Sequence, residues 1–230
     1  MAKRHALVWA LFLLAAIAAS AGDVAQFINL GFSADSRYFM FGQYGIAQTT
    51  SAPWADSYIV DVPANAFARQ GVRQFAATRP VDPGATALGA LFNVLADGHG
   101  EISRYHIDHL NTGRLVYILM DGATPPDTIE FRDFQSGRSY KVALTQSSST
   151  TATSVASAYS ISVTITEKDG KVKTLSAGDS TFKRAGVKAY HMKQIVLAPD
   201  GSSLVFVVQK EQQDTQGDNV RYMVETLRVK

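Results

Sequence analysis

The sequence predicts a mainly β fold of antiparallel hairpins with one short helix. Three observations carry that expectation. Short runs rich in Val, Ile, Tyr, Phe and Thr recur along the chain, bounded by Gly, Asp, Asn and Ser, which is the composition of strands joined by tight turns. Explicit turn sequences stand between several of these runs. Only one stretch places its apolar residues at convincing helical spacing.

The chain opens on Lys3 and Arg4, followed by an uncharged apolar run from Ala6 to Ala19 that closes on Ala19-Ser20-Ala21 before Gly22 and Asp23. Basic start, apolar centre and small-residue end make a secretory signal peptide. The run falls short of the roughly 20 apolar residues that span a bilayer. Cleavage after Ala21 is therefore expected, not a membrane anchor. Residues 1–21 are signal peptide in this reading, and 22–230 form one mainly-β domain, exported to the periplasm or the medium and not membrane-embedded after cleavage. With 0 Cys, the exported part has neither disulfides nor a thiol for lipid attachment, so packing alone must hold it.

The whole chain carries 22 Lys and Arg against 20 Asp and Glu. Lys3 and Arg4 leave with the signal, so the exported part is formally neutral. It has no basic excess for nucleic acid or an acidic membrane surface, and nucleic acid is excluded as an expected partner.

Expected strands are Tyr38–Tyr44, Tyr58–Val62, Ile102–Ile107, Arg114–Met120, Thr128–Asp133 and Tyr140–Thr145, then Ala158–Glu167, Lys171–Leu175, Gln194–Ala198, Ser203–Lys210 and Val220–Val229. Asp169-Gly170 separates two alternating segments and predicts a hairpin with positive φ at Gly170. Asn111-Thr112-Gly113 and Gln135-Ser136-Gly137 are expected to close hairpins too. The helix is expected over Ala85–Ala96, with Leu88, Leu91, Phe92 and Leu95 on one face, Asp82-Pro83-Gly84 before it and Gly98 after. Residues 47–56 read as a loop. The Ser/Thr/Ala-rich run 146–157 reads as a surface loop, with a strand of small side chains as the alternative.

An internal repeat links the two ends of the chain. Residues 28–44 (INLGFSADSRYFMFGQY) and 195–209 (IVLAPDGSSLVFVVQ) share an Asp-centred turn, Asp35 against Asp200, followed by an apolar strand. An Asp in such a turn accepts from backbone amides two residues on. Ser33-Ala34-Asp35-Ser36 and Ala198-Pro199-Asp200-Gly201 resemble the blade motif of TolB-type β-propellers. Ile107-Asp108-His109-Leu110-Asn111-Thr112-Gly113 resembles a second element of such blades. The offset between Asp35 and Asp200 is close to four propeller repeats of about 40–45 residues, which fits five blades. The fold class is thus propeller-like, with a β-sandwich as the alternative. Taken from the signal through GDVAQFINLGFSADSRYFMFGQYGI to the C-terminal hairpin, the chain is similar to a bacterial family of predicted secreted proteins of unknown function. That resemblance implies a location and no catalytic residues.

Chemistry-bearing residues are few. His99, His106, Asp108 and His109, with Asp97 and Glu101 near them, are the candidate metal ligands, although their spacing matches no zinc or calcium pattern. Asp35, Asp61, Glu130, Asp133 and Asp200 are the carboxylates from which a glycosidase would need a facing pair. No GxSxG elbow occurs, and His191 lacks a recognisable nucleophile. Tyr38, Tyr44 and Trp54 are the candidate ligand-binding residues, because exposed aromatic faces hold sugars and peptides by stacking. Phe39 and Phe41 belong to the core. No motif calls for a cofactor.

The leading expectation is a non-catalytic exported β module that binds a protein or cell-envelope component through loops or a strand edge. An envelope hydrolase, using a carboxylate pair or a metal site near His99–His109, is the alternative. A structural envelope protein whose partner is itself is a third reading.

Overall fold

The computed structural model describes residues 23–151, 154–214 and 217–230, so the expected signal peptide lies outside the described residues. Sheet I contains β1 (Gln26–Ser33), β2 (Tyr38–Ala47), β3 (Ala52–Asp61), β4 (Ala66–Ala76) and the short β5 (Ile107–Asp108), in the order β4-β3-β2-β1-β5. β6 (Arg114–Ile118) belongs to sheet III. Sheet II is the meander of β7 (Ile129–Asp133), β8 (Arg138–Thr150), β9 (Val155–Thr166) and β10 (Val172–Ala185). Sheet III adds β11 (Val187–Leu197), β12 (Ser203–Asp214) and β13 (Gly217–Arg228) to β6, in the order β13-β12-β11-β6. Neighbouring strands within all three sheets run antiparallel.

The three sheets stack with sheet III in the middle. On β12, Leu204, Phe206 and Val208 join Ile195 and Leu197 of β11 against Tyr159, Ile161, Val163 and Ile165 of β9. Val205 points the other way and joins Val196 and Ala198 against Phe32, Phe39, Phe41 and Val60 of sheet I. Both faces of β12 are covered, which is why its sequence, SLVFVV, is a continuous apolar run and not an alternating one. Each such Phe, Ile or Leu taken fully out of water contributes roughly 1.5–3 kcal/mol. Three stacked meanders fit a propeller-like or a sandwich description. The offset of the repeat fits five units, whereas the described residues form three sheets.

Helix α1 (Leu88–Asp97) covers the far face of sheet I, with Ala90, Leu91 and Val94 buried against Ala55. Gly42 on β2 makes this approach possible, since a Cβ there would lie 2.8 Å from Leu91 Cδ1. The helix was expected slightly earlier and on a different face: Phe92 is exposed and Val94 is buried. Ile102–Ile107, expected as a strand, instead begins inside a second helix, α2 (His99–Arg104). Ile102 and Tyr105 pack together on Leu30, Met40 and Ile59, a spacing of three that suits a helical turn. His106, at φ 51°, turns the chain out of the helix and leaves only Ile107 and Asp108 to pair with Ser33 and Phe32.

The Ser/Thr/Ala-rich run follows the strand alternative over most of its length, with Gln146–Thr150 ending β8 and Val155–Ser157 opening β9 in register. Residues 47–56, expected as a loop, form only a short turn before β3 begins at Ala52. Asp169-Gly170 closes the β9–β10 hairpin with φ +86° at Gly170, and Gln135-Ser136-Gly137 closes β7–β8. Asn111-Thr112-Gly113 closes no hairpin, because β5 pairs with β1 while β6 pairs with β11.

The repeated Asp turns lie side by side. Asp35 Oδ1 accepts from Arg37 N at 3.1 Å, Asp200 Oδ1 accepts from Ser202 N at 2.9 Å, and Asp200 N donates to Ser36 Oγ at 3.3 Å. Side chains from the flanking sheets also occupy the edges of sheet III. Gln43 and Asn65 accept from Tyr222 N and Thr226 N on β13 at 2.9 and 2.7 Å. On the β11 side, the Gln146 amide accepts from Tyr190 N and donates to Tyr190 O. These side chains occupy part of the edge that a second chain would need for pairing.

Candidate functional site

Sheets I and III separate where the apolar face of sheet III gives way to polar residues. Along β12, Val205 and Val207 are buried, while Gln209 and Glu211, next on the same face, are half-buried. On β11 an irregularity between Met192 and Gln194 sets His191 opposite Gln209. Tyr222 from β13 lies beside them. Opposite stand Val24, Ala25, Gln26 and Phe27, and the segment from Ile118 to Pro125 closes a third side. The cleft so formed has a volume of about 500 Å³, within the range of roughly 300–1,000 Å³ common for ligand pockets.

Its charges are arranged in pairs. His191 Nε2 lies 3.2 Å from Glu211 Oε1, and Lys193 Nζ lies 2.5 Å from Asp121 Oδ1. Lys193 holds the fully exposed Asp121 carboxyl below its usual range. The Phe27 and Tyr222 rings meet edge to face at 5.6 Å. Burial, with the Asp121 charge adding to it, raises the Tyr222 phenol above its ordinary value. The amides of Gln194 and Gln209 have no hydrogen-bond partner among the described residues. Each retains donors and an acceptor for a guest. A second cavity of about 230 Å³ adjoins the cleft, sharing Pro125 and His191 with it and lined also by Leu144, Gln146, Tyr190 and Met192.

The residues singled out from sequence lie elsewhere. Tyr38 and Tyr44 sit on the helix side of sheet I, where Tyr38 packs on Tyr105 at 4.6 Å between ring centres and Tyr44 packs on the α1 cluster. Trp54 is engaged in a different cluster. Its Nε1 donates to buried Asp23 Oδ2 at 2.8 Å, and Arg221 both stacks over the ring at 4.1 Å and reaches the same carboxylate oxygen at 2.7 Å. The three aromatics therefore do not form one surface.

His99 opens α2, and His106 is exposed just beyond it. Asp108 Oδ1 accepts from Leu110 N at 2.9 Å, and His109 Nδ1 lies 2.7 Å from Leu30 O. Among the described residues no group of three or more His, Asp or Glu could hold a metal ion. The candidate carboxylates all have local partners: Asp61 pairs with Arg37, Glu130 with Lys141 and Asp133 with Arg114, while Asp35 and Asp200 stabilise their turns.

The cleft residues were missed for a physical reason. Extending the β11–β12 register unbroken from Leu197 and Leu204 would set His191 opposite Lys210. The shift near Lys193 moves it to Gln209 and so to the sheet I face. Nothing in the local sequence marks that bulge.

Comparison with protein-family models gives a match over residues 40–228 to the family described as "Predicted secreted protein (DUF2259)". No curated protein matches the chain. Among the described residues no helix is long and apolar enough to cross a membrane.

Proposed function

Because the chain belongs to this family of predicted secreted proteins of unknown function, we propose that it is an exported, non-catalytic β module that binds a cell-envelope component in the cleft between sheets I and III. The observation that carries this reading is the pair of half-buried amides, Gln194 and Gln209, left without partners in a polar recess beside Phe27 and Tyr222. Both amides are open to water in the cleft, and a ligand with matching donors and acceptors can take the place of that water. The aromatic pair would supply the apolar contact that such sites combine with a few convergent polar groups. Export also places the cleft where envelope material is the surrounding chemistry. The candidate carboxylates stabilise turns or complete ion pairs, and nothing among the described residues favours the hydrolase alternative.

The test is photocrosslinking in cells. A benzophenone side chain placed at Gln209 is expected to give a discrete adduct, and one placed at exposed Phe92 on α1 is expected to give none. Folded protein that gives no adduct from Gln209, or the same adducts from both positions, would refute the cleft as the binding site.

A further inference from the structure

The walls of the cleft between sheets I and III narrow the chemistry of its ligand. The floor is formed by β11 and β12, both interior strands of sheet III. On the opposite wall Val24 bridges to Val220, and Ala25 N donates to Val220 O at 3.1 Å. The strand backbone here is already hydrogen-bonded, so a guest meets side chains and not a free strand edge. An extended peptide that adds to a sheet needs such an edge.

The charged groups are matched as well. Lys193 Nζ faces Asp121 Oδ1 at 2.5 Å, and His191 Nε2 faces Glu211 Oε1 at 3.2 Å. An ionic guest would shed its hydration against groups whose charges are already opposed, which costs more than it returns. What remains for a ligand is neutral. The Gln194 and Gln209 amides make no hydrogen bond among the described residues, and neither does the Tyr222 hydroxyl.

A primary amide holds a donor and an acceptor side by side on one planar edge. Two neighbouring hydroxyls on a sugar ring match that edge, one donating to the amide oxygen and the other accepting from the amide N–H. The same ring turns C–H groups to one face. Phe27 and Tyr222, edge to face at 5.6 Å, supply the apolar surface for that contact. The cleft of about 500 Å³ adjoins the second cavity of about 230 Å³ at Pro125 and His191, and two joined recesses suit a chain of linked units. We propose, on the premise that this cleft is the binding site, that its ligand is a neutral oligosaccharide whose vicinal hydroxyls bond the Gln194 and Gln209 amides.

The test follows the side-chain amide resonances of Gln194 and Gln209 in isotope-labelled exported protein, each assigned by its loss in Gln194→Ala or Gln209→Ala. Cellotriose, maltotriose and triacetylchitotriose are the sugar probes, and an end-blocked alanine tripeptide is the peptide probe. A saturable shift of both resonances with at least one sugar, and none with the peptide, is the expected result. Affinity for that sugar should fall about tenfold in each alanine variant. Both variants should melt like the unaltered protein, because neither amide has a protein partner to lose. Added salt should change the affinity by less than about twofold, since a neutral ligand has no charge to screen. A shift with the peptide alone, a steep loss of affinity in salt, or unchanged affinity in both variants overturns the oligosaccharide. So does silence from every probe; in that case an adduct retained from a benzophenone at Gln209 leaves the cleft standing as a binding site, and a lost one removes the cleft as well.

Discussion

Replacing Asp133 with alanine removes the group that ties the β7–β8 hairpin of sheet II to β6 of sheet III. Oδ1 accepts from Arg114 Nη1 at 2.7 Å and Gln135 N at 3.1 Å, while Oδ2 accepts from Ser136 N at 3.2 Å and Ser136 Oγ at 2.5 Å. The Asp133 side chain is 2% exposed and that of Arg114 is 34% exposed. Truncating one partner of a buried pair costs about 3–5 kcal/mol, and partial rehydration of Arg114 places this case near the lower end, at about 3 kcal/mol. For a chain of this size the melting temperature should fall by roughly 6–12 °C. Arg114 first, with Ser136 and Gln135 adding to it, holds the Asp133 carboxyl well below the usual range against the opposing effect of burial. The contribution is therefore present above the unfolded value of roughly 3.9 and is lost as pH falls through the lower folded value. Equilibrium urea unfolding of the two proteins across a pH series measures both effects. A difference below about 0.5 kcal/mol at neutral pH, the size expected of an exposed pair, would refute the reasoning. So would a difference that does not shrink in acid.

Three further outcomes follow from the packing. Gly31→Ala should be severely destabilised, by roughly 3 kcal/mol or more, because φ is +100° and the new Cβ would run into Asp108 O; a melting temperature within a few degrees of the unaltered protein would show that the β1 bulge is not constrained. Gln43→Ala should cost about 2 kcal/mol by leaving Tyr222 N without its acceptor and Asp56 without the Gln43 amide, and denaturant titration checks it. Burial, reinforced by Asp56, pushes the Tyr58 phenol up to about 12. Unfolded tyrosine ionises near pH ~10, so this group's contribution to stability is intact below that value and is lost as pH rises toward 12. Ultraviolet titration should leave Tyr58 un-ionised in folded protein at pH ~11, and complete ionisation of all 9 tyrosines in protein with native circular dichroism would contradict the burial.

Alternation and turn chemistry made the fold class legible. Phe39 and Phe41 read as core because they share one strand face, and both are almost fully buried against sheet III. The Asp169-Gly170 turn defined its hairpin because few residues other than glycine accept its positive φ. Where those signals weaken, the reading failed. Ile102 and Tyr105 sit among β-favouring neighbours, but their contacts with Leu30, Met40 and Ile59 hold that segment in a helical turn. The run from Gln146 to Ser157 has too little apolar contrast to announce strands, yet Gln146–Thr150 and Val155–Ser157 continue the β8–β9 ladder and Ser157 is fully buried. The cleft was illegible for a third reason. Its residues are distributed over β11, β12, β13, the N-terminal segment and the chain entering sheet II, and a bulge determines which of them face one another.

The middle position of sheet III explains where recognition chemistry can sit in this molecule. Over most of its area both faces are dry and apolar, and a polar group there would lose water without gaining a partner. Polar side chains on this sheet therefore lie where the flanking sheets part from it or, like Glu225 and Thr226 on β13, where a flanking sheet supplies a hydrogen-bond partner. His191, Gln194, Gln209 and Glu211 lie where sheet I turns away, whereas Lys210 takes the opposite face of β12. One short stretch of β12 thus sends alternate residues, Gln209 and Glu211 on one side and Lys210 on the other, into two different environments. A single-residue insertion between Val208 and Gln209 should exchange those environments, placing the lysine in the cleft. The crosslink from position 209 should then be lost, although the apolar core from Leu204 to Val208 is left in register. A variant that folds and keeps that crosslink would show that the cleft does not depend on the alternation of this strand.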